Sequence, residues 1–172
     1  MAKPGEAIVK QYLEERGLTV EKIKESDIKT ADFAVFLGGK LVFYLEEKTL
    51  ELTPPVFQSI DPVYNTIANH IHEAIKQFKS VNPDREVPNV LSFTNMDPAK
   101  DINYLFSTLT GHVITASGKL RWINKIKHIK DDMHYIDLYL WFDHDRGLSG
   151  HIWEEENSTH QEMLSEILGL QN

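Results

Sequence analysis

The chain has no cysteine, so neither a disulfide nor a thiolate metal site can form. No apolar run approaches the ~20 residues of a membrane-spanning helix. The opening residues, Met-Ala-Lys-Pro-Gly-Glu, lack the apolar stretch of a signal peptide. Basic charge is also short: 18 Lys and Arg stand against 26 Asp and Glu, a net charge of -8. That balance argues against a general nucleic-acid coat, which is basic. It leaves room for a local positive face, because acidic ligands of a cation would themselves add to the negative count. No internal repeat or low-complexity segment is present. These absences lead to the expectation of a cytoplasmic protein without a membrane partner. What remains, 172 residues with 41% hydrophobic and 26% charged, is the make-up of one globular domain over residues 1–172.

The most informative stretch is residues 30–50. Phe33 to Leu37 and Leu41 to Leu45 are apolar runs rich in aromatic or β-branched residues, separated by Gly38-Gly39. Glycines permit the positive φ of a tight turn, so the stretch predicts a β-hairpin. Asp32 begins its first strand, and Glu46, Glu47 and Lys48 end its second. Register decides whether these groups meet, because side chains alternate faces along a strand. A two-residue turn would place Asp32 opposite Leu45. A three-residue loop, Gly38-Gly39-Lys40, would place it opposite Glu46. The second register also gathers Phe33, Val35 and Leu37 with Leu41, Phe43 and Leu45 on one apolar face, and is preferred for that reason. Two carboxylates and an ammonium then share one patch. Like charges so close do not all ionise cheaply, and a divalent cation with a taste for hard oxygen ligands relieves the conflict.

Asp32, thirteen residues, then Glu46-Glu47-Lys48, across a hairpin that follows an N-terminal helix, resembles the PD-(D/E)XK nuclease superfamily. The likeness covers roughly residues 4 to 95. It departs where Ala31 replaces the proline of the motif, and where charged Glu47 fills a middle position that is more often apolar. The resemblance implies an α/β domain with a restriction-endonuclease-like mixed β-sheet flanked by helices. It implies Mg²⁺ or Mn²⁺ on Asp32 and Glu46, with Glu47 as a rival ligand and Glu6, on the first helix, as a further one. Lys48 would assist the attacking water or the transition state. Gln77 and Lys76, on the helix after the Glu-x-Lys strand, would reach toward the site. The implied activity is metal-dependent hydrolysis of nucleic acid, DNA first. The resemblance admits a homodimer or a partner subunit that supplies specificity.

The flanking sequence fits an alternation of helices and strands. Pro4 to Arg16 predicts a helix, with Glu6 favoured at its positive end. Leu18 to Ile23 predicts a strand. Pro54-Pro55 interrupts regular structure, and Asp61-Pro62 starts a helix to about Ser80. His70 and His72, two apart, face different ways and are expected at the surface. Asn89 to Thr94 predicts a buried strand, Asp97-Pro98 a helix to about Leu109, and Tyr135 to Asp143 a long alternating strand. Asp143, His144, Asp145 and His151 offer a second, weaker set of metal ligands. The stretch from Lys119 to Lys130 holds Lys119, Arg121, Lys125 and Lys127 without an acid, with Trp122 among them. It is the candidate phosphate-facing surface, and equally an amphipathic element with Ile123, Ile126 and Ile129 inward. Ser158 to Gln161 has the capping-box pattern of a final helix.

Two other classes of function compete with the nuclease. One is a non-catalytic module of the same fold that binds nucleic acid or protein. The other is a homo-oligomeric interaction protein presenting exposed Tyr139 and Trp141. Fold alone does not choose among them.

Overall fold

The computed structural model describes residues 3–24, 26–52, 61–122, 130–154 and 159–171. Its elements are, in order, α1 (Pro4–Glu14), β1 (Thr19–Lys22), β2 (Phe33–Leu37), β3 (Lys40–Leu50), α2 (Asp61–Val81), β4 (Asn89–Asn95) and α3 (Ile102–Thr110). They continue with β5 (His112–Ile114), β6 (Leu120–Trp122), a 3-10 helix (Lys130–Tyr135), β7 (Leu138–Asp143), β8 (Gly147–Trp153) and α4 (Thr159–Leu168). Six strands form one mixed sheet in the order β1-β2-β3-β4-β7-β8. β3, β4 and β7 run parallel, and the outer pairings are antiparallel. β5 and β6 form a separate antiparallel hairpin.

Alternation along the strands splits the core into two layers. Phe43, Leu45, Val90, Leu140 and Phe142 meet Val9, Tyr12 and Leu13 of α1 and Leu164 and Leu168 of α4. Leu91, Phe93, Tyr139 and Trp141 meet Ile67, Ile71, Ala74, Ile75 and Phe78 of α2 and Leu105 of α3. Tyr139 and Trp141 are therefore fully buried, which overturns their expected exposure. The alternating pattern suggested one dry and one wet face. β7 instead lies between β4 and β8 with helices over both faces. No helix among the described residues is long and apolar enough to cross a membrane.

The hairpin differs instructively from expectation. The turn has two residues, with Leu37 paired to Lys40 and both Gly38 (φ 57) and Gly39 (φ 80) left-handed. Two consecutive positive φ values match the right-handed twist of the strands. A bulge then intervenes between Val35 and Phe36: Phe36 pairs Leu41 and Val35 pairs Phe43, so Val42 has no counterpart. The extra residue restores Phe33 to Leu45. Asp32 thus arrives beside Glu46 through a bulge, where a longer loop was expected.

One other expectation shifts. Asp97 caps a turn through Ala99 N–H (3.0 Å), and the helix starts later, capped by Asp101 on Asn103 N–H (2.9 Å). Leu120 to Trp122 form β6 of the β5–β6 hairpin, and Lys119 precedes them. Residues 123–129, with Lys125 and Lys127, lie outside the described residues.

Candidate active site

The β2–β3 ladder reaches its last pair at Phe33 and Leu45, while β3 runs on to Leu50. Past that point side chains take over from the ladder. Asp32 N–H donates to Glu46 Oε2 at 3.0 Å, and Glu47 N–H donates to Asp32 Oδ2 at 2.9 Å. Each acid thus receives a backbone donor from the other's segment. On the opposite edge β4 pairs Glu46 with Leu91 and Lys48 with Phe93, and Ser92 Oγ donates to the Glu46 carbonyl at 3.2 Å.

Glu46 and Lys48 lie on the face toward α2, as their two-residue spacing requires. Lys48 Nζ sits 2.8 Å from Glu46 Oε1, 3.0 Å from Gln77 Oε1 and 3.5 Å from Glu73 Oε2. Gln77 Nε2 in turn donates to the Thr30 carbonyl at 3.0 Å, so one amide couples Lys48 to the segment that carries Asp32. His70, Glu73 and Gln77 all line the same cleft of about 520 Å³. Their spacing of three and four residues puts them on one helical face.

Glu47 points the other way. Its carboxylate lies against the first turn of α1, where a Cβ added to Gly5 would sit 2.1 Å from Glu47 Oε1. Thr49 Oγ1 donates to both its oxygens, at 3.0 and 3.2 Å. Only glycine leaves room for this approach of helix to carboxylate. Glu6, also buried, pairs with Lys22 Nζ on this side.

The result is four buried or half-buried carboxylates, Glu6, Asp32, Glu46 and Glu47, against two ammonium partners, Lys22 and Lys48. Burial pushes the Glu46 carboxyl up to about 7, and the charge of Asp32 adds to it against the pull of Lys48. Burial likewise pushes Glu47 to about 7, with Asp32 and Glu6 adding. Asp32 is raised in turn, by burial first and by Glu6 as well, against the Glu47 backbone hydrogen bond. Burial, then the neighbouring Lys48, lowers His70 below the ordinary imidazole value.

Of the residues expected from sequence, Asp32, Glu46, Lys48 and Gln77 come together in one cleft. Glu47 lines the cleft from the opposite face of β3, and Glu6 stands behind it, with Lys22 between Glu6 and solvent. Lys76 is exposed and does not line the cleft. Lys119 and Arg121 lie on the separate β5–β6 hairpin, both exposed. Sequence reasoning missed Lys22, His70, Glu73 and the Thr30 carbonyl. The signal for two of them was present: His70, Glu73 and Gln77 share a helical stripe that becomes visible once Gln77 is placed at the site. Reading His70 only against His72 hid it.

Asp32 and Glu46 place two carboxylates on the same cleft, where the charge of Asp32 acts on Glu46. Among the described residues no group of three or more His, Asp or Glu side chains is gathered closely enough to cage a metal alone. This covers Asp143, His144, Asp145 and His151 too, where Asp143 instead accepts from Asn95 Nδ2 at 3.0 Å. A two-carboxylate set fits Mg²⁺, which retains waters and substrate oxygens in its other positions. No family model matches the chain, and neither the curated proteins nor the solved structures give a match.

Proposed function

We propose that this chain is a metal-dependent phosphodiesterase of the PD-(D/E)XK type, with a restriction-endonuclease-like fold, acting on nucleic acid and on DNA first. One observation carries the reading: the reciprocal hydrogen bonds of Asp32 and Glu46-Glu47, with Lys48 Nζ 2.8 Å from Glu46 in the same cleft. The order helix, strand, hairpin, helix, parallel strand supports it.

The buried cluster has more carboxylates than cations, and Asp32, Glu46 and Glu47 are pushed toward their protonated forms. That is the electrostatic condition a divalent cation relieves. Asp32 and Glu46 would hold it. When bound, such a cation neutralises phosphate charge and sharpens a water as nucleophile. The chain's own part is positioning. Lys48 Nζ, held by Gln77 and Glu73, donates to the attacking water or to a phosphoryl oxygen on which charge develops. Gln77 keeps that ammonium in place through Thr30. Glu47, braced by Thr49 and α1, fixes the strand on which Glu46 and Lys48 ride.

The test is cleavage of mixed DNA and RNA with Mg²⁺ or Mn²⁺ by the wild type, Asp32→Ala and Lys48→Ala. Cleavage by the wild type alone supports the reading. Cleavage that survives in both variants removes these residues from the chemistry. Cation binding by calorimetry, lost in Asp32→Ala, separates an intact centre without its substrate from a fold that has abandoned the chemistry.

A further inference from the structure

The β5–β6 hairpin stands apart from the six-stranded sheet and shows its apolar residues to solvent. Trp122 is 65% exposed, Leu120 63% and Ile114 73%. Register places all three on one face with His112: His112 pairs with Trp122, and Ile114 with Leu120. The His112 and Trp122 rings lie 4.0 Å apart between centroids. Exposed apolar surface of this kind marks a contact site. Arg121 alternates to the opposite face of β6, and Lys119 directly precedes that strand, both exposed.

The stretch of sequence that contains this hairpin differs in charge from the chain as a whole. From Ile102 to Lys130 there is no Asp or Glu, while Lys119, Arg121, Lys125, Lys127 and Lys130 all fall in that span. The chain as a whole has a net charge of -8. A partner matching this segment is a polyanion with flat apolar groups. Two three-residue strands are too small to supply the ~800 Å² per partner of a stable protein interface. They are large enough for one or two nucleobases.

We propose that the β5–β6 hairpin is a stacking platform for unpaired bases of a single nucleic-acid strand. A base lies on Trp122 beside His112 and the apolar face of Leu120 and Ile114. The phosphates pass over the edge of the ribbon to Lys119 and Arg121. An aromatic ring serves every base, because each has a π-face, so the platform selects strandedness rather than sequence. This refines the nucleic-acid reading given above toward substrates with single-stranded or frayed segments, and it does not depend on chemistry in the cleft.

Fluorescence anisotropy of labelled single-stranded and duplex oligonucleotides, DNA and RNA, tests it in EDTA. The proteins are the wild type, Trp122→Ala, Trp122→Phe, and Lys119→Gln with Arg121→Gln. The wild type is expected to prefer the single strand. Trp122→Ala is expected to bind it roughly tenfold more weakly, and Trp122→Phe to keep most of the affinity. Removing both cations is expected to lower the log–log salt slope by about 1.4, the share of two phosphates on a single strand. Binding is read in EDTA, where no cleavage occurs, so failure of the platform and failure of the cleavage reading appear in separate experiments. Equal losses on duplex and single strand in Trp122→Ala would overturn stacking. So would unchanged binding in Trp122→Ala, or a concentration-dependent dimer that this substitution abolishes.

Discussion

Two of the places where the described residues bury carboxylates are treated differently. At the start of β4 and β7, Asp137 is surrounded by donors. Its Oδ2 accepts from Asn89 N–H at 2.8 Å, and its Oδ1 lies 3.0 Å from both Arg85 Nη2 and His160 Nδ1. Asn89 passes the network on to the Tyr135 carbonyl and to Asn82. One charge joins the loop before β4, the entry to β7 and the start of α4. Farther along β3, toward its C-terminal end, acids outnumber their cations, and burial, with repulsion from neighbouring acids, pushes Asp32, Glu46 and Glu47 up. A buried carboxylate that serves folding gathers donors for both oxygens. One that is left in electrostatic conflict is a candidate for a functional role.

The sharpest way to break this comparison is to remove Asp137. Asp137→Ala leaves Arg85, His160 and the Asn89 N–H without their acceptor at once. It is expected to cost about 3–5 kcal/mol, the range for breaking a buried charged network from one side. Urea denaturation at neutral pH measures it, and a cost near that of a surface substitution would dissolve the distinction between the two clusters.

pH separates the clusters next. Glu46 and Glu47 rise from an ordinary value of 4.5 to about 7 on folding. The native state therefore binds more protons than the unfolded chain between these values, and stability falls as pH rises through them. Their favourable contribution is complete below pH 4.5 and gone above pH 7. The fall is on the order of 3 kcal/mol for each carboxylate. Thermal melting from pH 5 to pH 8 should show it, and Mg²⁺ should raise Tm more at pH 8 than at pH 5, because it binds the ionised acids. A melting temperature that climbs across this range would show that the cluster is not in conflict.

Glu46→Gln narrows the effect to one residue. The amide oxygen can still accept Asp32 N–H, while the charge is gone. The pH-dependent fall is expected to shrink by roughly half, the share of one carboxylate of two. The variant should be more stable than the wild type at pH 8 and should lose cation binding in calorimetry. Stability lost at pH 8 would mean that the pair with Lys48 outweighs burial.

The fold was legible where local chemistry is decisive. Two glycines marked the hairpin, and Asp61-Pro62 marked the start of α2. The meeting of Asp32 with Glu46 was legible too, although by the wrong route. A three-residue loop and a two-residue turn with a bulge give the same pairing beyond Val35, and periodicity cannot tell them apart. The burial of Tyr139 and Trp141 was not legible, because strand alternation reports two faces without saying what covers each. The division of Glu46 from Glu47 was legible in direction. Adjacent residues must face opposite ways on a strand, but only the position of α1 shows that the second acid has a built environment of its own.

That environment gives the finest test of the comparison, since Glu47 could belong with either kind of carboxylate. It is pushed up like Glu46, yet braced by Thr49 and by the first turn of α1. A methyl group on Gly5 would stand 2.1 Å from Glu47 Oε1 and 2.5 Å from Thr49 Oγ1, so one of them must move. Alanine is otherwise the better helix residue, which works against the clash. Gly5→Ala is expected to cost about 1 kcal/mol, at the low end for overpacking, because the displaced atoms are side-chain ends. Adding Glu47→Ala should remove the shorter approach and free Thr49 Oγ1 from its acceptor, so the double variant should show positive coupling between the two sites. Cation affinity decides the class. If Glu47 is a brace, Gly5→Ala lowers stability and leaves Mg²⁺ binding as it was, because Asp32 and Glu46 are untouched. If Mg²⁺ binding weakens in step with stability, Glu47 holds the cation, and the charged middle position of the Glu-x-Lys motif is a ligand in its own right.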